Sequence, residues 1–150
     1  MITLKAGDLA PQFESTDQNG NSIKLSDYKG KKVVLYFYPK DNTPGCTAES
    51  CNLRDNYELL QKQGYVVLGV SSDNEKSHQK FIEKHALPFS LIADTDKSVH
   101  ELFGTWAEKS MYGRKYMGTL RSTFVINEEG RIQEVIEKVK TKEHTSQILK

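Results

Sequence analysis

The sequence predicts a mixed α/β fold in which a mostly parallel sheet is covered by helices and closed by an antiparallel edge. Three observations lead there. Short β-branched and aromatic runs alternate with stretches of helical periodicity through the middle of the chain, the pattern of parallel strands joined by crossover helices. An Asn-Gly pair near the start and a Glu-Glu-Gly turn near the end each separate two β-type runs, which places a hairpin at either end. The 150 residues, 37% of them hydrophobic and grouped rather than diluted, suffice for one domain with a real core, expected to span 1–150.

The first hairpin is expected over 13–17 and 22–25, with Asn19-Gly20 supplying the positive φ angles of a tight turn. The run 33–38 is apolar without strict alternation and reads as a strand buried on both faces. Thr43 suits a helix N-cap and Pro44 the first helical position. The helix is expected from Pro44 to about Gln63, ended by Gly64, with Leu53, Tyr57 and Leu60 as its apolar stripe. A second buried strand covers 65–71. Asp73 or Asn74 starts a helix that reaches about His85 and ends at Leu87-Pro88. A short strand over 90–93 leads to a short helix capped by Asp94 or Thr95 and closed by Gly104. The stretch 105–119, polar and aromatic with two glycines, reads as a long loop. Strands over 122–127 and 131–139 flank the turn 128–130, and the tail 141–150 reads as a short helix. This order fits a thioredoxin-like sheet with insertions: a central mixed sheet flanked by helices, with an N-terminal β-hairpin. A flavodoxin-like sheet is the alternative, and the late hairpin counts against it.

Composition narrows function. Lys and Arg number 21 against 20 Asp and Glu, a formal charge of +1 with no long charge block, so nothing supports a nucleic-acid partner. No apolar run is long enough for a transmembrane helix, and the first eight residues lack the apolar core of a signal peptide, so a cytoplasmic location is expected and no membrane partner. Two cysteines do not make a disulfide scaffold.

The chemistry gathers at Cys46. With Thr43 as N-cap and Pro44 at N1, Cys46 occupies N3, where unpaired N–H groups and the helix dipole favour thiolate over thiol. The competing reading is a buried cysteine acting as a small hydrophobe. Cys51 follows five residues later on the same helix. Ideal geometry separates the two Cα atoms by roughly 8.5 Å, whereas a disulfide requires less than about 7 Å. Either Cys51 is a plain core residue or the helix must unwind for it to react. His78, His85, His100 and His144 are scattered over polar segments, and the cysteines lack zinc-type spacing, so no metal is expected. Thr43 can cap the helix and also bond sulfur or a substrate oxygen. Arg121, at a strand entrance, reads locally as a solvated arginine, and Glu49 as an ordinary first-turn acid. Trp106 and Tyr112 either line a pocket or pin the loop that holds them.

The stretch Tyr38-Pro39-Lys40-Asp41-Asn42-Thr43-Pro44-Gly45-Cys46-Thr47, together with Cys51, Arg121-Ser122-Thr123-Phe124-Val125-Ile126 and the early Gly7-Asp8-Leu9-Ala10-Pro11-Gln12-Phe13, resembles the peroxiredoxins, in particular the peroxiredoxin Q or bacterioferritin-comigratory-protein group. The likeness covers essentially the whole chain. It implies a thioredoxin-like fold with the insertions of that family and two-electron reduction of hydrogen peroxide or organic hydroperoxides. It implies Cys46 as the attacking thiolate, with Thr43, Arg121 and Pro39 around it. It also implies that Cys51 resolves the Cys46 sulfenic acid as an intramolecular disulfide, reduced in turn by a thioredoxin-type partner. No metal, haem or flavin is implied, and relatives of this group are often monomeric. The alternatives are a general thiol–disulfide oxidoreductase, whose usual Cys-x-x-Cys is absent, and a non-catalytic binding module on the same fold.

Overall fold

The computed structural model describes residues 2–149; Met1 and Lys150, the latter included in the expected tail helix, lie outside them. Its elements are β1 (Glu14–Thr16), β2 (Ser22–Lys24), a short 3-10 helix (Leu25–Tyr28), β3 (Lys32–Phe37), α1 (Pro44–Asp55), α2 (Tyr57–Lys62), β4 (Tyr65–Ser71), α3 (Glu75–His85), β5 (Ser90–Ala93), α4 (Ser98–Phe103), β6 (Trp106–Met111), β7 (Arg114–Thr119), β8 (Ser122–Ile126), β9 (Ile132–Ile136) and α5 (His144–Ile148).

Five strands form one sheet in the order β5-β4-β3-β8-β9. β3, β4 and β5 are parallel, while β8 and β9 run antiparallel to their neighbours. This is the thioredoxin-like mixed sheet with its antiparallel edge. β3 sits at its centre because its residues have work on both faces. Val33, Leu35 and Phe37 pack with Val70, Phe103 and Phe124 on one side. Val34, Tyr36 and Tyr38 pack with Leu53, Leu60, Phe81 and Cys46 on the other. Successive side chains of a strand alternate sides, so an unbroken apolar run is what a sheet covered on both faces requires.

Apart from shorter ends to the last strand and the tail helix, the structure departs from the sequence reading at five places. In the first hairpin only Gly20 has a positive φ (77°); the turn spans residues 17–20, closed by Gly20 N–H to the Asp17 carbonyl at 3.1 Å. Asp17 Oδ1 also accepts from the N–H groups of Asn19 and Asn21. The long helix divides at Asn56, whose side-chain amide donates to the Asn52 carbonyl at 2.8 Å while its own N–H reaches that oxygen at 3.3 Å. A side chain competing for a backbone acceptor is a known way to interrupt a helix. α4 begins later than expected, with Lys97 in the left-handed region at its N-cap. Asp94 still serves its N-terminus, accepting from the N–H groups of Val99 and His100. The expected loop 105–119 is a β-hairpin, β6 paired with β7 from Trp106↔Thr119 to Met111↔Arg114. Its turn, Tyr112-Gly113, has both φ values positive, the geometry that fits the strand twist but is uncommon for tyrosine. Finally, His78, His100 and His144 are fully buried although the segments that carry them read as polar.

Gly69 in β4 lies between Tyr36 and Leu91, and a Cβ there would stand 2.6 Å from Leu91 Cδ2 and 2.9 Å from Tyr36 Cζ. Gly69→Ala is therefore expected to lower stability by about 1–3 kcal/mol through overpacking. Urea unfolding measures it, and an unchanged midpoint would refute the close packing of this face.

Candidate active site

The turn between β3 and α1 is held from below. Tyr38 Oη donates to Asp41 Oδ1 at 2.6 Å, and Asp41 N–H donates to Asp73 Oδ2 at 2.8 Å. Asp41 Oδ2 also bonds Ser77 Oγ and His78 Nδ1, at 2.8 and 2.7 Å. Asp41, Asp73 and His78 bring their ligand-type atoms within 4.8 Å of one another, the spacing of a metal site. Asp41 Oδ2 and Asp73 Oδ2 each already bond two protein groups, so the cluster is accounted for as a hydrogen-bonded clamp. It fixes a turn in which Asn42 takes φ 61° and Pro39 is half-buried.

Thr43 is the N-cap residue, with Pro44 at N1, and the first helical bond runs from Thr47 N–H to the Thr43 carbonyl at 2.8 Å. Cys46 is thus in the first turn, fully buried. The Thr43 hydroxyl does not cap the helix. It donates backwards to the Lys40 carbonyl at 2.7 Å, which commits its proton and leaves it lone pairs to offer.

Arg121 comes from across the sheet. Because β3 pairs with β8 at Phe37↔Ser122, the residue before Ser122 lies at the same sheet end as Tyr38 and the clamped turn. Arg121 Nη2 donates to Cys46 Sγ at 3.3 Å and Nη1 to Glu49 Oε1 at 2.7 Å. Gly45 makes room for it: a Cβ there would stand 3.3 Å from Nη2. Burial works against the guanidinium charge, but Cys46 and Glu49 beside it leave the net shift upward. Arg121 is therefore a paired site cation and not the solvated arginine that local sequence suggests.

Glu49 is the residue most misjudged by its local sequence. It lies in the second turn of α1, fully buried, and its Oε2 has no hydrogen-bond partner. His144 Nε2 is 3.5 Å from that oxygen. His144 Nδ1 bonds Gln147 Oε1, an acceptor, so Nδ1 carries the proton and Nε2 accepts from Thr123 Oγ1 at 2.7 Å. Burial pushes the Glu49 carboxyl up to about 7, in part offset by Arg121. Burial lowers His144, with the Gln147 bond opposing and Arg121 adding to the fall.

A second buried chain sets the approach of Arg121. His100 joins Asp94 Oδ2 at 2.6 Å to Thr119 Oγ1 at 2.9 Å, and Leu120 N–H bonds the Thr105 carbonyl at 2.7 Å. Burial opposes ionisation of Asp94, yet hydrogen bonds from His100 and Val99 hold its carboxyl below the usual range. Trp106 packs edge-on to His100 and so pins the hairpin, whereas Tyr112 stands 99% exposed at its tip and lines nothing.

Cys51 is half-buried, with Sγ 3.8 Å from His85 Nδ1. Both cysteines are free, and α1 runs unbroken between them. The structure thus brings Arg121 onto Cys46, with Thr43 at the same helix start and Pro39 in the turn before it, and leaves Cys51 on the same helix, beyond disulfide reach by helical geometry.

A buried thiol at a helix N-terminus, with a guanidinium on its sulfur, defines a cysteine-based oxidoreductase on a thioredoxin-like sheet. The comparisons narrow that class. Residues 6–135 match the AhpC/TSA family. Peroxiredoxin Bcp of Bacillus subtilis (strain 168) is 47% identical over 148 residues, covering 99% of this chain and 94% of that one. The PrxQ of Xylella fastidiosa, solved as a cysteine-to-serine variant, superposes with a TM-score of 0.91 at 35% identity, covering 97% and 93% of the two chains. The bacterioferritin comigratory protein of Xanthomonas campestris, solved in a study of its alkyl peroxide reduction activity, gives 0.87 at 33% identity, covering 99% and 95%. The chain belongs to the AhpC/TSA family, among its peroxiredoxins, and is a thiol-dependent peroxidase.

The ordinary Glu49 value is 4.5 and the folded value about 7. Between the two, the folded protein holds a proton that the unfolded chain has released, so this group makes stability fall as the pH rises from about 4.5 through 7. Relative to Glu49→Gln, the wild type is expected to lose on the order of 3 kcal/mol between pH 4.5 and 8. Denaturant unfolding at both pH values measures this; a difference that does not change with pH would mean that Glu49 stays ionised.

Proposed function

We propose that Cys46 is the peroxide-cleaving nucleophile, Cys51 the resolving cysteine, and Thr43, Arg121 and Pro39 the pocket around them. The observation that carries this reading is the Arg121 Nη2–Cys46 Sγ contact of 3.3 Å, in which a cation and the N-terminus of a helix, both of which attract negative charge, meet at one sulfur. The sulfur attacks the hydroxyl oxygen of a hydroperoxide, the O–O bond breaks, and the departing alkoxide or hydroxide takes up a proton. Arg121 and the backbone N–H groups of the first turn offset the charge that moves onto the departing oxygen, where fixed donors act most strongly. Thr43, its own proton committed to Lys40, accepts the O–H of the bound hydroperoxide. Pro39, half-buried in the clamped turn, walls the sulfur from bulk water.

Cys46 leaves this step as a sulfenic acid. Cys51 condenses with it, releasing water, and a thioredoxin-type dithiol reduces the disulfide by exchange. The bond can form only after the first turns of α1 unwind, since five helical residues hold the sulfurs apart. Organic hydroperoxides are included among the substrates on the strength of the Xanthomonas campestris relative, whose structure is described in terms of alkyl peroxide reduction. The same reading takes the chain as a single cytoplasmic domain that works as a monomer, uses no metal or organic cofactor, and binds neither nucleic acid nor membrane. Charge balance supports the lack of a nucleic-acid partner, and among the described residues no helix is long and apolar enough to cross a membrane.

Intact mass after one equivalent of peroxide tests the scheme. The reduced wild type is expected to lose two hydrogens, Cys51→Ser to keep one added oxygen on Cys46, and Cys46→Ser to change in neither way. An unmodified wild type overturns the assignment. Arg121→Met is expected to slow peroxide consumption about 100- to 1,000-fold, the usual loss when a donor to a developing oxyanion is removed.

A further inference from the structure

α1 is anchored unevenly. From Cys51 onward it is tied to two other helices. Asn52 Nδ2 donates to the Lys142 carbonyl at 2.9 Å, and Asn52 Oδ1 accepts from both the N–H and the hydroxyl of Thr145, each at 2.8 Å, at the start of α5. Leu53 is fully buried. Arg54 Nη1 donates to the His85 carbonyl at 2.7 Å, at the end of α3, and its Nε is held by Asp55. Before Cys51 the ties differ in kind: Arg121 holds Cys46 and Glu49, Ser50 bonds the Tyr36 hydroxyl, and the tie to Cys46 is one that oxidation of the sulfur weakens. The first turns begin with Pro44-Gly45, and Gly45, Thr47 and Ala48 are only half-buried. Gly has poor helix propensity. The segment free to unwind is therefore the one that carries Cys46, and Cys51 belongs to the segment that stays.

At that fixed position Cys51 Sγ faces His85 Nδ1 at 3.8 Å. We infer, building on the Cys46–Cys51 reading above, that His85 is a catalytic residue of the resolving step, accepting the Cys51 thiol proton at Nδ1 as Cys46 is carried to a stationary Cys51. The Cys51 sulfur attacks the sulfenyl sulfur, the S–O bond of Cys46 breaks, and the hydroxide leaves as water on taking a proton back. No net proton and no outside oxidant are needed. The surroundings of His85 suit an acceptor. Lys84 on its own helix and Arg54 on α1 are the charges that face it, Asp55 being paired to Arg54, and Phe81 packs edge-on to the ring at 5.3 Å. Burial, Lys84 and Arg54 all lower the imidazole from its ordinary value, which favours the uncharged ring, and with its proton on Nε2 that ring presents the Nδ1 lone pair to the Cys51 thiol.

Stopped-flow oxidation with a thiol-specific sulfenic acid trap separates the two steps: sulfenic acid formation at Cys46, then disulfide formation. The readout is the ratio of the second rate to the first. In His85→Gln, which keeps polar contact but takes no proton, that ratio is expected to fall roughly 10- to 100-fold at pH 7. The resolving rate should then depend more steeply on pH across 6–8 than it does in the wild type. His85→Ala should recover on addition of imidazole. A His85→Gln ratio and pH profile equal to wild type overturns the inference, and so does a slow His85→Ala that imidazole does not rescue. Hydrogen exchange on the disulfide form should show protection lost at the amides of 47–50 and kept at those of 55 and 56, whose acceptors are the carbonyls of 51 and 52, and loss at 55 and 56 overturns the fixed position of Cys51. Failure of sulfenic acid to form at all overturns the Cys46 assignment, and the inference with it, whereas failure confined to the resolving step leaves that assignment standing.

Discussion

The hold of Arg121 on Cys46 and Glu49 is the contact on which the rest of the site depends. The guanidinium is largely removed from water, and such a charge is tolerated only where opposite or polar groups replace the lost hydration. Here the Cys46 sulfur and the Glu49 carboxyl do so, from one face of one helix three residues apart. The pairing works in both directions: α1 supplies the partners that allow Arg121 to be buried, and Arg121 fixes which face of α1 meets the sheet. Gly45 is part of the same contact, because any side chain there would meet Nη2.

Three buried polar chains make that meeting reproducible. Tyr38, Asp41 and His78 hold the turn before α1; Asp94, His100 and Thr119 hold the strand that ends two residues before Arg121; Thr123, His144 and Gln147 hold the tail against the sheet behind Glu49. Two of the three begin at the carboxyl end of a parallel strand, β3 or β5. β3 is also where the strand order reverses, with β4 and β5 to one side and β8 and β9 to the other, and open α/β sheets place their chemistry outside the carboxyl ends of strands at such a point. Each chain runs between segments far apart in sequence, so a defect in one displaces the site without touching Cys46.

Much of this was legible in the sequence, and the gaps have physical causes. β3, β4 and β5 read correctly because a strand buried on both faces is apolar in its interior, with polar residues only at its ends, as Lys32, Ser71 and Ser90 are. Cys46 read correctly because Thr-Pro at a helix start fixes the numbering of the first turn. Residues 105–119 misled because β6 and β7 form a two-stranded sheet apart from the main one, largely open to solvent, so charged and apolar side chains mix without a clean alternation, and the turn uses Tyr-Gly where Asn-Gly would have signalled it. The buried histidines and Glu49 misled for a different reason. A polar side chain is buried when distant partners exist for it, and those partners, Thr119 for His100 and Arg121 for Glu49, lie 19 and 72 residues away. One local sign was available for Glu49: it falls three residues from Cys46, on the same helical face.

The first turn of α1 faces two opposed demands, and the charge on sulfur reconciles them in the proposed cycle. To make Cys46 reactive the turn must be formed, with its N–H groups and Arg121 directed at the thiolate. To let Cys51 react the same turn must open. A hydrogen bond from a cation to an anion is roughly twice as strong as one to a neutral acceptor. Once the sulfur becomes a neutral sulfenic acid, Arg121 loses its anionic partner there and keeps Glu49. Helix dipole and free N–H groups lose the same partner. Apart from the burial of Cys46 itself, what remains to hold residues 44–47 is weak: an exposed proline that donates no hydrogen bond, a glycine, and the half-buried Thr47. Oxidation thus loosens the one segment whose order the thiolate had stabilised, while Asn52, Leu53 and Arg54 keep the following turn in place. The five-residue spacing that forbids a resting disulfide is then what makes the chemistry at Cys46 and the opening of its helix a single ordered sequence.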